Sequence, residues 1–99
     1  MDIIEVFYEH RHEENALPMA KYMKNQFPFL GLKKPERTKL SRPFLREKKK
    51  EPHVDWEFIK TCYGLPEREF HYLAIDYLEA MQTKLTPSDM PKIEEMILT

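Results

Sequence analysis

"LPEREFHYLAIDYL", Leu65 to Leu78, decides the fold. Phe70, Leu73, Ala74, Tyr77, Leu78 and the following Met81 recur at steps of one, three and four, without a break. That is the 3.6-residue period of one apolar helix face. Pro66 suits the opening of such a helix, where the first amides have no carbonyl partners anyway.

Reading backwards, Val54 to Tyr63 is a second amphipathic segment, with Phe58, Ile59 and Cys62 inward and Gly64 as its stop. Further back, "GLKKPERTKL" starts at Gly31, and Pro35 with Glu36 predicts another helix start. Leu40, Phe44 and Leu45 give that helix a narrow apolar stripe. Pro43 is expected to kink or end it. Near the N-terminus, Ile3, Ile4, Val6, Phe7 and His10 fit a short helix. Asn15 is expected to cap the next one, with Pro18 in its first turn and Met19, Tyr22, Met23 and Phe27 on one face. Reading forwards, "TPSDMP" is a turn with capping side chains, and a last helix runs through Ile93, Met96 and Ile97.

Nothing reads as a strand. The chain is therefore expected to be all-α, about six helices in antiparallel pairs, within a single domain spanning 1–99. Pro-Glu-Arg occurs at Pro35 and again at Pro66, 31 residues on. That spacing is near the period of helical repeats. The apolar positions after the two triplets do not superpose, so the repeat is degenerate and the triplets share only helix-start punctuation. Pro91 marks a third such start.

Composition narrows the function. No apolar run approaches the roughly 18 residues a membrane span needs. The acidic, amphipathic N-terminus lacks the pattern of a secretory signal. A single cysteine, Cys62, excludes an internal disulfide framework and suits a reducing, cytoplasmic setting. The net charge of −1 conceals a strong asymmetry. Lys21 to Lys50 holds eight Lys and three Arg against Glu36 and Glu47, a net of +9. Lys21, Lys24, Lys33, Lys34, Arg37, Lys39, Arg42 and Arg46, interleaved with Tyr22, Phe27 and Phe29, form a footprint for a polyanion. The plain alternative is a solvated face.

Other constellations carry less. His10 and His12 are two residues apart, which puts them on different helix faces, and His53 and His71 add no ligand spacing. No metal site or other cofactor is expected. Glu67, Glu69, Asp76 and Glu79 read as the wet face of their helix rather than as an acid–base pair. Cys62 reads as a core residue and Trp56 as packing, so no catalytic residue is assigned.

"PMAKYMKNQFPFLGLKKPER" (Pro18 to Arg37) and "LPEREFHYLAIDYL" resemble the DNA alkylation repair family of AlkD-type glycosylases in content, order and spacing; "IEEMILT" at the end is similar too. The resemblance runs from about Ala16 to Thr99. It implies an α-solenoid of HEAT-like repeats holding duplex DNA in a basic groove. It implies hydrolysis of the N-glycosidic bond of N3- and N7-alkylated purines, without a metal. The family's catalytic Trp and Asp lie in a Trp-Trp-Asp segment beyond the helix matching "IEEMILT", and neither Trp56 nor Asp76 matches them. Tyr22 matches a family residue near the lesion-facing side. The resemblance thus implies the N-terminal, DNA-binding part of a longer solenoid, with no base excision by these residues alone. Its last helix, with Ile93, Met96 and Ile97, is expected to leave an apolar end open to self-association. The alternative function is a non-catalytic helical-repeat module that binds a protein partner or DNA.

Overall fold

The computed structural model describes residues 2–98, with side chains as far as Glu95. Six α-helices follow one another: α1 (Ile3–Glu9), α2 (Glu13–Tyr22), α3 (Lys34–Lys48), α4 (Trp56–Gly64), α5 (Arg68–Ala80) and α6 (Met90–Leu98). Two short 3₁₀ turns, Gln82–Lys84 and Pro87–Asp89, join α5 to α6. No strand occurs among the described residues. The protein is all-helical, an elongated slab of 42 × 29 × 19 Å.

The α5 stripe is the centre of the core. Phe70, Leu73, Ala74, Tyr77 and Met81 are all fully buried, joined by Ile59 and Cys62 of α4 and by Ile3 and Phe7 of α1. Removing each large apolar side chain from water contributes roughly 1.5–3 kcal/mol before entropy is charged against it. α4 and α5 form an antiparallel hairpin across Leu65–Glu67, while α3 lies against both α1 and α5. Phe7 stacks on Phe70 at 5.6 Å, and Phe58 meets Tyr77 edge-on at 5.1 Å. The buried Tyr77 hydroxyl is satisfied, accepting from the Asp55 amide at 2.7 Å.

Local chemistry sets the helix ends. Asp2 caps α1 by accepting from Glu5 N–H, and Asp55 caps α4 by accepting from Phe58 N–H. Thr86 and Asp89 form a capping box in "TPSDMP", where a turn with capping side chains was expected. Gly64, expected just past α4, is its last helical residue, and Leu65 forms the C-cap.

Pro43 does not end α3, which runs on to Lys48. Pro43 is exposed, so the carbonyl it leaves without an amide partner lies on the wet side. Leu40, Phe44 and Leu45 hold the other side against the core. α2 starts at Glu13, with His12 rather than Asn15 as N-cap, so Pro18 lies inside it and not in its first turn. It also ends at Tyr22, because Lys24 (φ 57°) and Asn25 (φ 59°) turn left-handed. The stripe from Met19 to Phe27 therefore never forms, and α2 buries no side chain. In α6, Ile93 is half-buried; the side chains of Met96 and Ile97 lie outside the described residues.

Candidate nucleic-acid interface

Lys34, Thr38, Arg42, Arg46 and Lys49 follow α3 at steps of four and three, which keeps them on one flank of the helix. They line one wall of an open groove of about 390 Å³, whose other wall is Asp76 and Ala80 of α5. From Lys34 to Lys49 the ridge spans about 22 Å at helical rise. None of its four cations forms an ion pair among the described residues. They are free for an external anion.

The rest of the basic stretch is partly neutralised at home. Lys48 is shared between Asp55 at 2.9 Å and Glu51 at 3.3 Å, and Lys50 pairs with Glu47 at 3.1 Å. The Lys48 hydrogen bond, foremost, holds the Asp55 carboxyl below its ordinary range despite partial burial, and the Phe58 amide adds to it.

The expected phosphate-contacting residues divide by position. Lys34 and Arg42 lie on the groove wall. Lys33 and Lys39 are exposed elsewhere on or beside α3; Lys33 is its N-cap, with no side chain closing the first amides. Lys21, Tyr22 and Lys24 are exposed at the end of α2, Tyr22 at 87%. No hydrogen bond or ion pair joins them to the α3 ridge. Arg37 departs from expectation: it is 8% exposed, with its Nε 3.8 Å from Asp76 Oδ2 and its guanidinium over Tyr72. It is set into the packing.

The second triplet behaves alike. Arg68 lies between Phe27 at 4.3 Å and Tyr72 at 5.2 Å. His71, beside it, is buried and donates through Nε2 to Leu65 O at 2.9 Å. The acids of α5 are not simply its wet face. Glu67 accepts from the Tyr8 hydroxyl at 2.8 Å. Glu69 is fully buried and accepts from the amides of Leu30, Gly31 and Leu32 at 2.9–3.1 Å. A carboxylate tolerates such burial when backbone donors converge on it. Glu69 precedes Leu73 by four residues, which put it beside the apolar stripe; that was the available signal.

Trp56 and Asp89 do meet, Nε1 donating to Oδ1 at 3.1 Å, but both are engaged. Asp89 also closes the Thr86 cap, and Lys92 sits over the indole at 5.5 Å. Cys62 is fully buried, and burial pushes its thiol up to about 12. Among the described residues no three His, Cys, Asp or Glu side chains cluster to hold a metal ion, and no helix is long and apolar enough to cross a membrane.

The helical stack matches a known class of protein. The model of the DNA alkylation repair enzyme family matches residues 3–99, and the chain belongs to that family. A solved structure described as "Predicted DNA alkylation repair enzyme from Enterococcus faecalis" superposes with a TM-score of 0.83 at 30% identity. The match covers 90% of this chain and 42% of that one, so the chain spans less than half the length of its structural relative. No curated protein matches it.

Proposed function

We propose that these residues form the DNA-binding part of a cytoplasmic DNA glycosylase that hydrolyses the N-glycosidic bond of N3- and N7-alkylated purines in duplex DNA. The unpaired cationic ridge of Lys34, Arg42, Arg46 and Lys49 along the α3–α5 groove carries this reading. Its length of about 22 Å faces some six base pairs of a backbone that carries one charge per about 3.4 Å of each strand. Exposed Lys21, Tyr22, Lys24, Lys33 and Lys39 extend the contact. Excision needs little from the protein, since an alkylated purine is already a cationic leaving group. It does need an aromatic face for that cation and a carboxylate near the sugar. Trp56 and Asp89 are held by Lys92 and Thr86, so these residues supply binding and the rest of the enzyme supplies hydrolysis. The test is incubation with a duplex carrying 7-methylguanine. The chain binds and releases no free base; base release, or no binding at low salt, contradicts the proposal.

One observation favours a second reading. Asp76 on the α5 wall of the groove, with Glu79 in the adjoining hollow, would suit a protein ligand with both charges. Titration with duplex DNA and with a protein that carries patches of both charges, at equal ionic strength, separates the two readings. The groove of Trp56, Ile59, Tyr63 and Lys92 at the α4–α6 end is where a following repeat or a second copy would pack.

A further inference from the structure

α2 presents Lys21 and Tyr22, yet none of its side chains is buried or packs on the central core. The hydrogen bonds and ion pair that tie it to the neighbouring loop and to α3 lie at its N-terminal end. His12 N–H donates to Leu30 O at 2.8 Å, and Asn15 Nδ2 donates to Gly31 O at 3.3 Å. His12 Nε2 meets the Glu36 carboxylate at 3.0 Å. Gly31 sits directly beneath this turn: a Cβ on it would lie 2.0 Å from His12 O. Two of the three ties thus end on the loop at 30–31.

That loop is held from its other side by the first turn of α5. Arg68 N–H donates to Pro28 O at 2.9 Å. Glu69 takes the amides of Leu30, Gly31 and Leu32 together, Leu30 N–H reaching both oxygens at 2.9 and 3.0 Å. A carboxylate offers only acceptors, so three converging N–H groups suit it; a carboxamide would turn an NH₂ against one of them.

We infer that Glu69 is a positioning residue for the binding face of α2: through the amides of Leu30–Leu32 it fixes where Lys21 and Tyr22 stand relative to the α3 ridge. The consequence for DNA rests on the proposed function; the placement of α2 does not.

Glu69→Gln tests it, read by hydrogen exchange and by duplex affinity. The expected result is faster exchange across Glu13–Tyr22 with Leu73–Met81 unchanged, and an affinity loss on the order of tenfold, the worth of a charge-assisted contact. The same change added to Lys21→Ala/Tyr22→Ala costs no further affinity, because both act through one element. Exchange that rises equally in α5, or fully additive losses, overturns the inference and leaves Glu69 a core residue. Should Glu69→Gln not fold, Asn15→Ala cuts the Gly31 tie alone. It must speed α2 exchange and lower affinity non-additively, and unchanged exchange overturns the inference. If no variant and no parent chain binds DNA, the DNA reading fails, and α2 exchange alone still decides the placement.

Discussion

The Arg37 guanidinium carbon lies 4.8 Å from the centroid of the Tyr72 ring, and Arg68 reaches the same ring at 5.2 Å. The two Pro-Glu-Arg triplets, 31 residues apart in sequence, thus converge on one aromatic. Among the described residues the buried Nε atoms of both arginines have no hydrogen-bond acceptor; stacking on Tyr72 holds both, with the Asp76 carboxylate beside Arg37 and a hydrogen bond from Arg68 to His71 Nδ1 at 3.3 Å. Arg37→Ala loses a partly desolvated cation–π contact and the packing of its stem. The expected cost is about 1–3 kcal/mol in urea denaturation, with duplex affinity per folded molecule nearly unchanged. Arg42→Ala should show the reverse.

Glycine is required at only one of its two positions. Gly31 has φ +93°, and a Cβ there would meet backbone oxygen, which no rotamer can relieve. Gly31→Ala should therefore cost more than about 3 kcal/mol, a large share of a small domain's stability. Nothing lies within 4 Å of a Cβ on Gly64, which is helical. Gly64→Ala should stabilise by about 0.5–1 kcal/mol. Midpoints of thermal unfolding for the two variants check both signs.

Lys48 and Asp55 predict an acid-side effect. The folded Asp55 carboxyl is depressed, so its stabilisation is complete above the unfolded value near 3.9 and is lost as pH falls through the folded value. Asn is an equally good N-cap, so Asp55→Asn keeps the cap and removes the charge. The stability difference between parent and variant should be constant from about pH 7 to pH 5 and shrink towards pH 2. A difference that grows on acidification contradicts the pairing.

Cys62 is shielded, and burial pushes its thiol up to about 12. At about pH 8 it should resist a thiol reagent in native buffer and react fully in denaturant. Rapid native labelling would show that α4 opens away from α5.

Where the apolar period was long, the fold was legible. α5 appears with its expected inward set because six large or small apolar residues repeat one face. α2 was misread because a periodic pattern was carried across Lys24 and Asn25, two non-glycine residues that turn left-handed. Pro43 does not end α3 because an exposed proline costs one hydrogen bond, which packing on the opposite face can outweigh. The cationic ridge was visible as charge, but its unpaired members were not. Lys34, Arg42 and Arg46 were named from sequence and Lys49 was not; telling Lys49 from its neighbours Lys48 and Lys50 needs the positions of Asp55, Glu51 and Glu47. Glu69 was hidden because its three partners are backbone amides 37–39 residues away, and amides leave no trace in side-chain identity.

The salt dependence of duplex binding tests the central claim most directly. Each phosphate contact contributes about 0.9 to the slope of log affinity against log salt. Changing Lys34, Arg42, Arg46 and Lys49 together to Gln should make that slope shallower by about 3 to 4, with the thermal midpoint nearly unchanged. An unchanged slope in a folded variant would contradict the account and place the DNA, if it binds at all, on another face of the molecule.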